Sequence, residues 1–170
     1  MTTPDPIEPR PNVPLRSAEL PWEEYGTPGR FGDRTLPLGA HGGATQVGFH
    51  IVELPPGKQG CPFHYHLREE EHFYVLSGRC VLRSGDERHE MGPGDYVCFP
   101  AGGRVGHATL NPFAEPCRMI VVGTRSPDDV CVYPDSGKAK VRSLAHMFPW
   151  PAPSLDYMHG EDDSPLPRAT

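Results

Sequence analysis

Two short segments carry most of the information about how this 170-residue chain folds. The first, residues 57–78, reads GKQGCPFHYHLREEEHFYVLSG, and the second, residues 94–111, reads GDYVCFPAGGRVGHATLN. In both of them, short apolar or aromatic runs alternate with turn residues such as Pro and Gly. Runs of this length between turn residues are typical of β-strands joined by tight turns.

The same pattern extends on both sides of these segments, from about residue 44 to residue 134. Strands are predicted where β-branched and aromatic residues cluster, and turns where Pro, Gly, Asn or Ser interrupt them. The predicted strands are Gln46–Leu54, His72–Leu76, Cys80–Leu82, Tyr96–Phe99, His107–Leu110, Arg118–Val122 and Val130–Tyr133. Many short strands at regular spacing, without a helical segment between them, predict an all-β sandwich or barrel.

Composition and charge exclude several classes of function. The 22 Pro and 19 Gly disfavour long helices, because Pro lacks a backbone donor and Gly carries an entropic cost. The net charge of −6 leaves no basic stripe for phosphates, so we expect no nucleic-acid partner. No apolar run reaches the ~20 residues that span a bilayer, and the Pro-rich start does not resemble a secretory signal. We therefore expect a cytoplasmic protein without a membrane partner.

Proline crowds both ends of the chain, which divides it into three parts. We predict an extended N-terminal segment at residues 1–30, a barrel domain at residues 31–147, and an extended or disordered acidic, Pro-rich tail at residues 148–170. The five cysteines are widely spaced and form no Cys-x-x-Cys pair. We interpret most of them as small buried residues of strands.

A candidate metal-binding set lies within the predicted strands. His64 and His66 are two residues apart, so on a strand both imidazoles point to the same face. Three consecutive glutamates, 69–71, follow, and His107 begins another predicted strand. Two histidines on one face, a carboxylate and a third histidine form a ligand set that suits Mn, Fe, Ni, Zn or Co. Taken singly, each of these residues is more often a solvated surface group.

The first segment resembles the first motif of the cupin superfamily. That motif reads Gly, some residues, His-x-His, three or four residues, Glu, six residues, Gly. In this chain it runs from Gly57 through His64, His66 and Glu71 to Gly78. The one departure is that Gly57 lies one residue farther from His64 than usual.

The second segment resembles the second cupin motif, which reads Gly, five residues, Pro-x-Gly, a short gap, His, three residues, Asn. Its positions in this chain are Gly94, Pro100, Gly102, His107 and Asn111. The gap between Gly102 and His107 is two residues longer than usual. Together the two motifs match about ten positions in the correct order over some 55 residues.

The resemblance implies a cupin-type double-stranded β-helix, that is, a jelly-roll barrel with extended Pro-rich termini. It also implies that Glu71 is the carboxylate ligand, since six residues separate it from Gly78. The implied site is one divalent metal, Fe, Mn, Ni or Zn, bound by His64, His66, Glu71 and His107.

Strand alternation and loop position then predict residues of the pocket wall. Phe73 and Val75 fall on the same inward face as Glu71. Arg104 lies in the lengthened loop beside His107, where it is a further pocket candidate.

Residues 38–135 resemble small bacterial single-domain cupins, which mostly lack an assigned activity. Some of these carry a sugar-phosphate isomerase label by similarity. The implied function is that the metal chelates an oxygen-bearing small metabolite, in a dioxygenase or in an isomerase or lyase that acts on a sugar-like substrate. The alternative is a barrel that binds a small ligand without catalysis. A third interpretation, a barrel that binds no metal and serves association, ranks last.

Two further groups of residues distinguish these functions. An isomerase or lyase needs a general base, and His50, Glu53, Tyr96 and Arg118 are candidates by position. A sugar-phosphate isomerase also needs a cationic clamp, for which the candidates are Arg79, Arg83 and Arg104.

Cupin barrels commonly pair through an edge strand, since an uncovered edge is prone to aggregation. We therefore expect a homodimer, with the segment around Thr35–Leu38 as a candidate for a strand that covers the edge of the partner subunit.

Overall fold

The computed structural model describes residues 7–155 and residue 159. Within them the chain forms thirteen strands, all of which pair antiparallel. The first sheet, in spatial order, contains β1 (Glu23–Gly26), β2 (Gly32–Leu36), β3 (Val47–Leu54), β10 (Cys117–Thr124), β5 (Glu71–Ser77) and β8 (Tyr96–Phe99).

The second sheet consists of two smaller groups of strands. One group is β13 (His146–Pro149), β12 (Lys138–Val141), β11 (Val130–Tyr133) and β4 (Tyr65–His66). The other is β9 (His107–Leu110), β6 (Cys80–Ser84) and β7 (Glu87–Met91). A reciprocal pair of backbone hydrogen bonds between His64 and His107, of 3.1 and 2.8 Å, joins the two groups.

Regular helices are short in the described part of the chain. One helical turn, α1 (Leu38–His41), follows β2, and two 3-10 turns lie at Ser17–Glu19 and Pro134–Ser136. None of these helices is long and apolar enough to cross a membrane. The predicted all-β jelly-roll architecture is thus confirmed, and the strand predicted at Gln46–Leu54 begins one residue later, as β3.

Side chains from both sheets form one hydrophobic core. The first sheet contributes Leu54, Phe73, Val75, Cys117 and Met119. The second sheet contributes Cys80, Leu82 and Met91. Buried and exposed residues alternate along β5, as they do in any strand with one face in the core. Phe73 and Val75 point into the core, and Tyr74 between them points to solvent. Cys80, Cys117 and Cys131 are free and buried in strands, as the sequence predicts for most of the cysteines.

The glycine that ends the first motif is required by the backbone. Gly78 joins β5 to β6 with a φ of +72°, a left-handed conformation that residues with a side chain rarely adopt. A Cβ at this position would also overlap the carbonyl oxygen of Pro116. The turn therefore fixes the spacing between β5, which starts with Glu71, and the strands of the opposite sheet.

Strands occur within both of the terminal segments predicted from the sequence. Within residues 1–30, β1 is not an isolated extended segment but the edge strand of the first sheet. Thr35 and Leu36, predicted to cover the edge of a partner subunit, pair in this structure with β3 of their own chain. Within residues 148–170, Phe148 and Pro149 belong to β13, whereas residues 156–158 and 160–170 lie outside the described residues.

Candidate metal centre

Three imidazoles converge on one carboxylate oxygen between the two sheets. The Oε2 atom of Glu71 lies 3.0 Å from Nε2 of His107, 3.5 Å from Nε2 of His64 and 3.6 Å from Nε2 of His66. His64, Glu71 and His107 offer ligand atoms that all lie within 4.8 Å of one another. The structure therefore brings together the four side chains that the sequence analysis selects.

The register of the strands explains this convergence. His64 and His107 are directly paired across the junction of the second sheet, and His66 follows two residues later on the same face. Glu71 is the first residue of β5 in the first sheet. The cluster thus takes its imidazoles from one sheet and its carboxylate from the other, so its geometry depends on how the sheets pack.

Two of the imidazoles are oriented by hydrogen bonds on their far side. The Nδ1 atom of His64 donates to the carbonyl oxygen of Pro62 at 2.8 Å, since that oxygen only accepts. The Nδ1 atom of His66 lies 2.6 Å from Oδ2 of Asp129, to which it donates. With that proton on Nδ1, Nε2 is the ring atom that faces Glu71 and can carry either a second proton or a metal.

Asp129 is a residue of this site that the sequence analysis missed. It is 1% exposed, and its other carboxylate oxygen accepts a hydrogen bond of 3.0 Å from the backbone N–H of Arg68. Its only sequence signal is an acidic pair, Asp128-Asp129, in a turn before β11. That signal is too common to select an acid 63 residues away from His66.

The third imidazole is held by aromatic packing. The ring of His107 stacks on Phe99 with 3.6 Å between centroids and 7° between planes, and Phe73 meets it edge-on. His107 is 1% exposed, and its Nδ1 atom has no hydrogen-bond partner among the described residues. Packing therefore fixes the plane of this ring, whereas hydrogen bonds fix the other two.

The pKa values show how charge is distributed in the cluster. Burial lowers the pKa of His64, but Cys61 and Glu71 outweigh it and raise the pKa to about 12. Burial likewise opposes the hydrogen bond with Asp129, which raises the pKa of His66 to about 10. Burial lowers the pKa of His107.

The two acids show the opposite balance. Burial would raise the pKa of Glu71, yet its contacts with His107 and His64 hold that pKa well below its usual range. The pKa of Asp129 is lowered too, since its hydrogen bond with His66 outweighs burial. Both carboxylates are therefore ionised at neutral pH, and in the metal-free cluster the protonated imidazoles of His64 and His66 balance their charge.

A cavity of about 240 Å³ opens beside the cluster. It is lined by Tyr65, His66, Glu69, Glu71, Ser84, Val97, Cys98, Phe99, Pro100, Gly103, Val105 and His107. Because Glu71, His66 and His107 belong to the lining, a small molecule in the cavity has direct access to the converging atoms.

Comparison with known proteins identifies the family. The model of the Cupin domain family matches residues 50–123, which contain all four converging side chains. The structure of a sugar phosphate isomerase from a cupin superfamily of Silicibacter pomeroyi is 31% identical, with a TM-score of 0.74. The match covers 85% of this chain and 98% of the other. This chain belongs to the cupin superfamily.

Two other solved structures resemble this cupin. A candidate sugar phosphate isomerase from Acidithiobacillus ferrooxidans is 28% identical, covers 89% of this chain and 92% of its own, and has a TM-score of 0.71. The polyketide cyclase RemF from Streptomyces resistomycificus is 25% identical, with a TM-score of 0.57. That match covers 66% of this chain and 78% of RemF. Among curated proteins, a sequence search finds no match to this cupin.

The structure also separates the three consecutive glutamates of this cupin. Glu69 is buried and accepts hydrogen bonds from Arg142 at 2.7 Å and from the backbone N–H of Ser126 at 2.9 Å. Glu70 points to the outer face, where it lies 2.9 Å from His72. Only Glu71 meets the three imidazoles. Glu70, His72 and Cys98 approach one another as a separate group on the outer face.

The structure does not place the three predicted pocket-wall residues in the lining of the cavity. Phe73 and Val75 face inward but are buried in the core, where Phe73 supports His107 and Phe99 from behind. Arg104 is exposed, and its neighbours Gly103 and Val105 line the cavity instead. Alternation gives the face of a residue and not its depth along the barrel, so the role of these three residues in a pocket wall stays a prediction.

The four general-base candidates also lie outside the lining. Glu53 is bound to Arg118 at 2.6 Å and to Arg34 at 3.1 Å on the outer face. Tyr96 contacts His72 on that same face, and His50 lies 2.9 Å from a guanidinium nitrogen of Arg125. Each of these groups already has a structural partner.

Proposed function

We propose that this cupin is a metal-dependent enzyme in which His64, His66, Glu71 and His107 bind one divalent metal. The observation that supports this most is the convergence of three Nε2 atoms on one carboxylate oxygen at 3.0–3.6 Å. Neighbouring ligands of a metal at about 2.1 Å lie roughly 3.0–3.4 Å apart, so these spacings come within about 0.2 Å of what such an ion needs. Nitrogen and oxygen donors favour Fe, Mn, Ni or Zn.

The hydrogen bonds around the cluster support the same proposal. Metal-binding histidines usually donate their second ring N–H to a carboxylate or a backbone carbonyl. His66 does so to Asp129, and His64 does so to Pro62. Both rings therefore present Nε2 to the cluster, where a metal would bind in place of the proton that Nε2 otherwise carries.

The cavity supports a small-molecule substrate with oxygen donors. A bound divalent metal with open positions would chelate adjacent oxygens of the substrate and, if redox-active, would bring dioxygen beside them. The residues of the chain orient the substrate and exclude water from it, since the aromatic wall of Phe99 and His107 flanks the converging atoms.

Of the two reaction classes, the lining favours a dioxygenase. An isomerase or lyase needs a general base poised to move a proton of the substrate. Glu69, the lining carboxylate outside the proposed ligand set, is committed to Arg142 and Ser126. The relatives from S. pomeroyi and A. ferrooxidans bear isomerase names, so isomerase chemistry is the second candidate.

Two further predictions belong to this proposal, a cytoplasmic location and a homodimer. Exposed apolar side chains on the outer face of the first sheet support the dimer; they are Val47, Phe49, Tyr74, Leu76 and Tyr96. Light scattering coupled to size-exclusion chromatography distinguishes a dimer from a monomer, and a monomer at micromolar concentration contradicts this part of the proposal.

Elemental analysis of anaerobically purified, untagged protein tests the metal site. We expect near-stoichiometric metal in the wild type, and its loss in the double variant His64→Ala/His66→Ala. The matched control is His72→Asn, which removes a histidine from the outer-face group and should leave the metal content unchanged. No metal in the wild type, even after the ions are added back, contradicts the proposal.

The identity of the metal then directs the activity assay. Iron leads to oxygen-consumption assays with diols, enediols and catechol-like compounds. Manganese, nickel or zinc shifts the weight towards an isomerase or lyase. Metal binding without turnover of any of these compounds leaves the non-catalytic ligand-binding barrel.

A further inference from the structure

The residues that line the 240 Å³ cavity indicate the chemical class of a substrate that would fit it. Resting on the metal site proposed above, we propose that the substrate is a small chelating compound, such as an enediol, hydroxyketone or catechol, whose remaining part is apolar and carries no phosphate. The cavity then selects an alkyl or aryl substituent beside the chelating oxygens.

Apolar side chains supply part of the cavity wall beside the candidate ligands. Val97, Phe99, Pro100 and Val105 line the cavity, and the exposed Val105 sits at its rim. Apolar surface of this kind stabilises a substituent in proportion to the area that it removes from water.

The lining has few polar groups, and Glu69, its charged residue outside the candidate ligand set, is already neutralised. Both carboxylate oxygens of Glu69 accept hydrogen bonds, one from Arg142 and the other from Ser126. Besides Glu69 and the candidate metal ligands, the polar residues of the lining are Ser84, Tyr65 and Cys98. Neutral groups of this kind suit a carbonyl or hydroxyl oxygen better than a dianion.

Two of the three arginines that the sequence offers as a phosphate clamp have other partners, and the third, Arg104, is exposed and lies outside the lining. Arg83 makes a two-pronged ion pair with Asp135, of 2.6 and 3.0 Å, and its guanidinium also lies over the ring of Phe63. Arg79 binds Glu90 at 2.8 Å. Among the described residues, the lining includes neither Arg nor Lys.

A phosphate in this cavity would therefore lose water without gaining a cationic partner from the lining. Burying a charge without a partner is unfavourable, so the part of the substrate that is not bound to the metal should carry none. The lining thus argues against a sugar phosphate as the substrate of this chain.

A series of hydroxamates measures this selectivity by binding alone. Each one chelates a metal through two adjacent oxygens, and aceto-, propiono- and butyrohydroxamate differ by one methylene at a time. With cobalt-loaded protein, monitored through the cobalt absorption spectrum, we expect the dissociation constant to fall about fourfold per added methylene. Phosphonoacetohydroxamate should bind more weakly than acetohydroxamate.

Substitutions at the cavity rim sharpen the test. Val105→Ser should reduce the gain per methylene, and Val105→Arg should tighten binding of the phosphonate about tenfold by supplying the missing cation. Leu144→Ser is the matched control, since Leu144 is an exposed apolar residue outside the lining and its loss should change neither affinity.

The outcomes separate this inference from the metal site on which it rests. The substrate class is overturned, and the metal site is kept, if cobalt binds but the dissociation constant does not change along the hydroxamate series. The same holds if cobalt binds and the phosphonate binds tighter than acetohydroxamate. Cobalt that does not bind, or that binds equally to His64→Ala/His66→Ala, overturns both.

Discussion

Replacing Asp129 by Asn changes one buried atom and tests whether the support of His66 matters for metal binding. Asp129 accepts two hydrogen bonds, one from Nδ1 of His66 and one from the backbone N–H of Arg68. Asparagine has a single acceptor oxygen, so its amide NH₂ group must face one of these two donors. His66 then loses either its hydrogen bond or the tautomer that leaves Nε2 free.

The expected loss follows from these contacts. Removing a partner of this kind typically weakens metal affinity by about 10- to 100-fold, which equals about 1.4–2.8 kcal/mol. An unpaired buried donor costs about 1–3 kcal/mol of folding stability. We therefore expect Asp129→Asn to fold with reduced stability and to bind Zn²⁺ or Co²⁺ at least about tenfold more weakly.

Competition titration with a chelator of known affinity measures the metal affinity, and urea unfolding of the metal-free protein measures stability separately. The matched control is Glu70→Gln, which removes a carboxylate from another histidine, His72, on the outer face. Its metal affinity should equal that of the wild type. Affinity of Asp129→Asn within about twofold of the wild type, in folded protein, would refute the reasoning from Asp129.

Three other predictions concern stability. Chelation of the metal should lower the melting temperature of the wild type but not of His64→Ala/His66→Ala, since a ligand at 100 times its Kd stabilises the folded state by about 2.7 kcal/mol; equal shifts in both proteins contradict the site. Glu53→Gln should lower the free energy of unfolding in urea at pH 7 by about 1 kcal/mol, because Arg118 and Arg34 outweigh burial and hold the pKa of Glu53 below its usual range. The effect stays this small because solvent screens the half-exposed Arg118. A lowered pKa stabilises the fold at pH values above the ordinary Glu pKa of about 4.3, and this stabilisation is lost as the pH falls through the pKa of the folded state. The difference in unfolding free energy between wild type and Glu53→Gln should therefore shrink towards pH 3, and a difference that stays constant with pH argues against the ion pair. Leu54→Ala should cost about 2–5 kcal/mol, since Leu54 is 0% exposed in the core, whereas the exposed Leu144→Ala should lie within about 0.5 kcal/mol of the wild type in the same unfolding assay.

The sequence analysis predicts most of the fold because strand signals are local. Alternation in β5 and turn residues such as Gly78 follow from the period of an extended chain and from backbone sterics. Edge pairing is less local. The sequence places Thr35 in a segment available to a partner, whereas in the structure it pairs with Val52 of β3 in the same chain.

The candidate site divides in the same way. That His64 and His66 share a face follows from their spacing alone, and the family motif selects Glu71 among three glutamates. The lining of the cavity is different, because Val97 reaches it from β8, which pairs with β5, and Val105 reaches it from the loop before β9. Depth along the barrel separates them from Phe73 and Val75, and no local pattern encodes that depth.

By itself, then, the sequence determines the strand-rich architecture and the types and order of the four side chains that converge. Only the tertiary structure decides that Asp129 holds His66, that Asp135 occupies Arg83, and that the cavity wall is apolar. The physical reason is the separation along the chain of the residues that interact. Alternation and turn chemistry depend on neighbours along the chain, whereas these contacts join residues 63 and 52 positions apart through strand register and sheet packing.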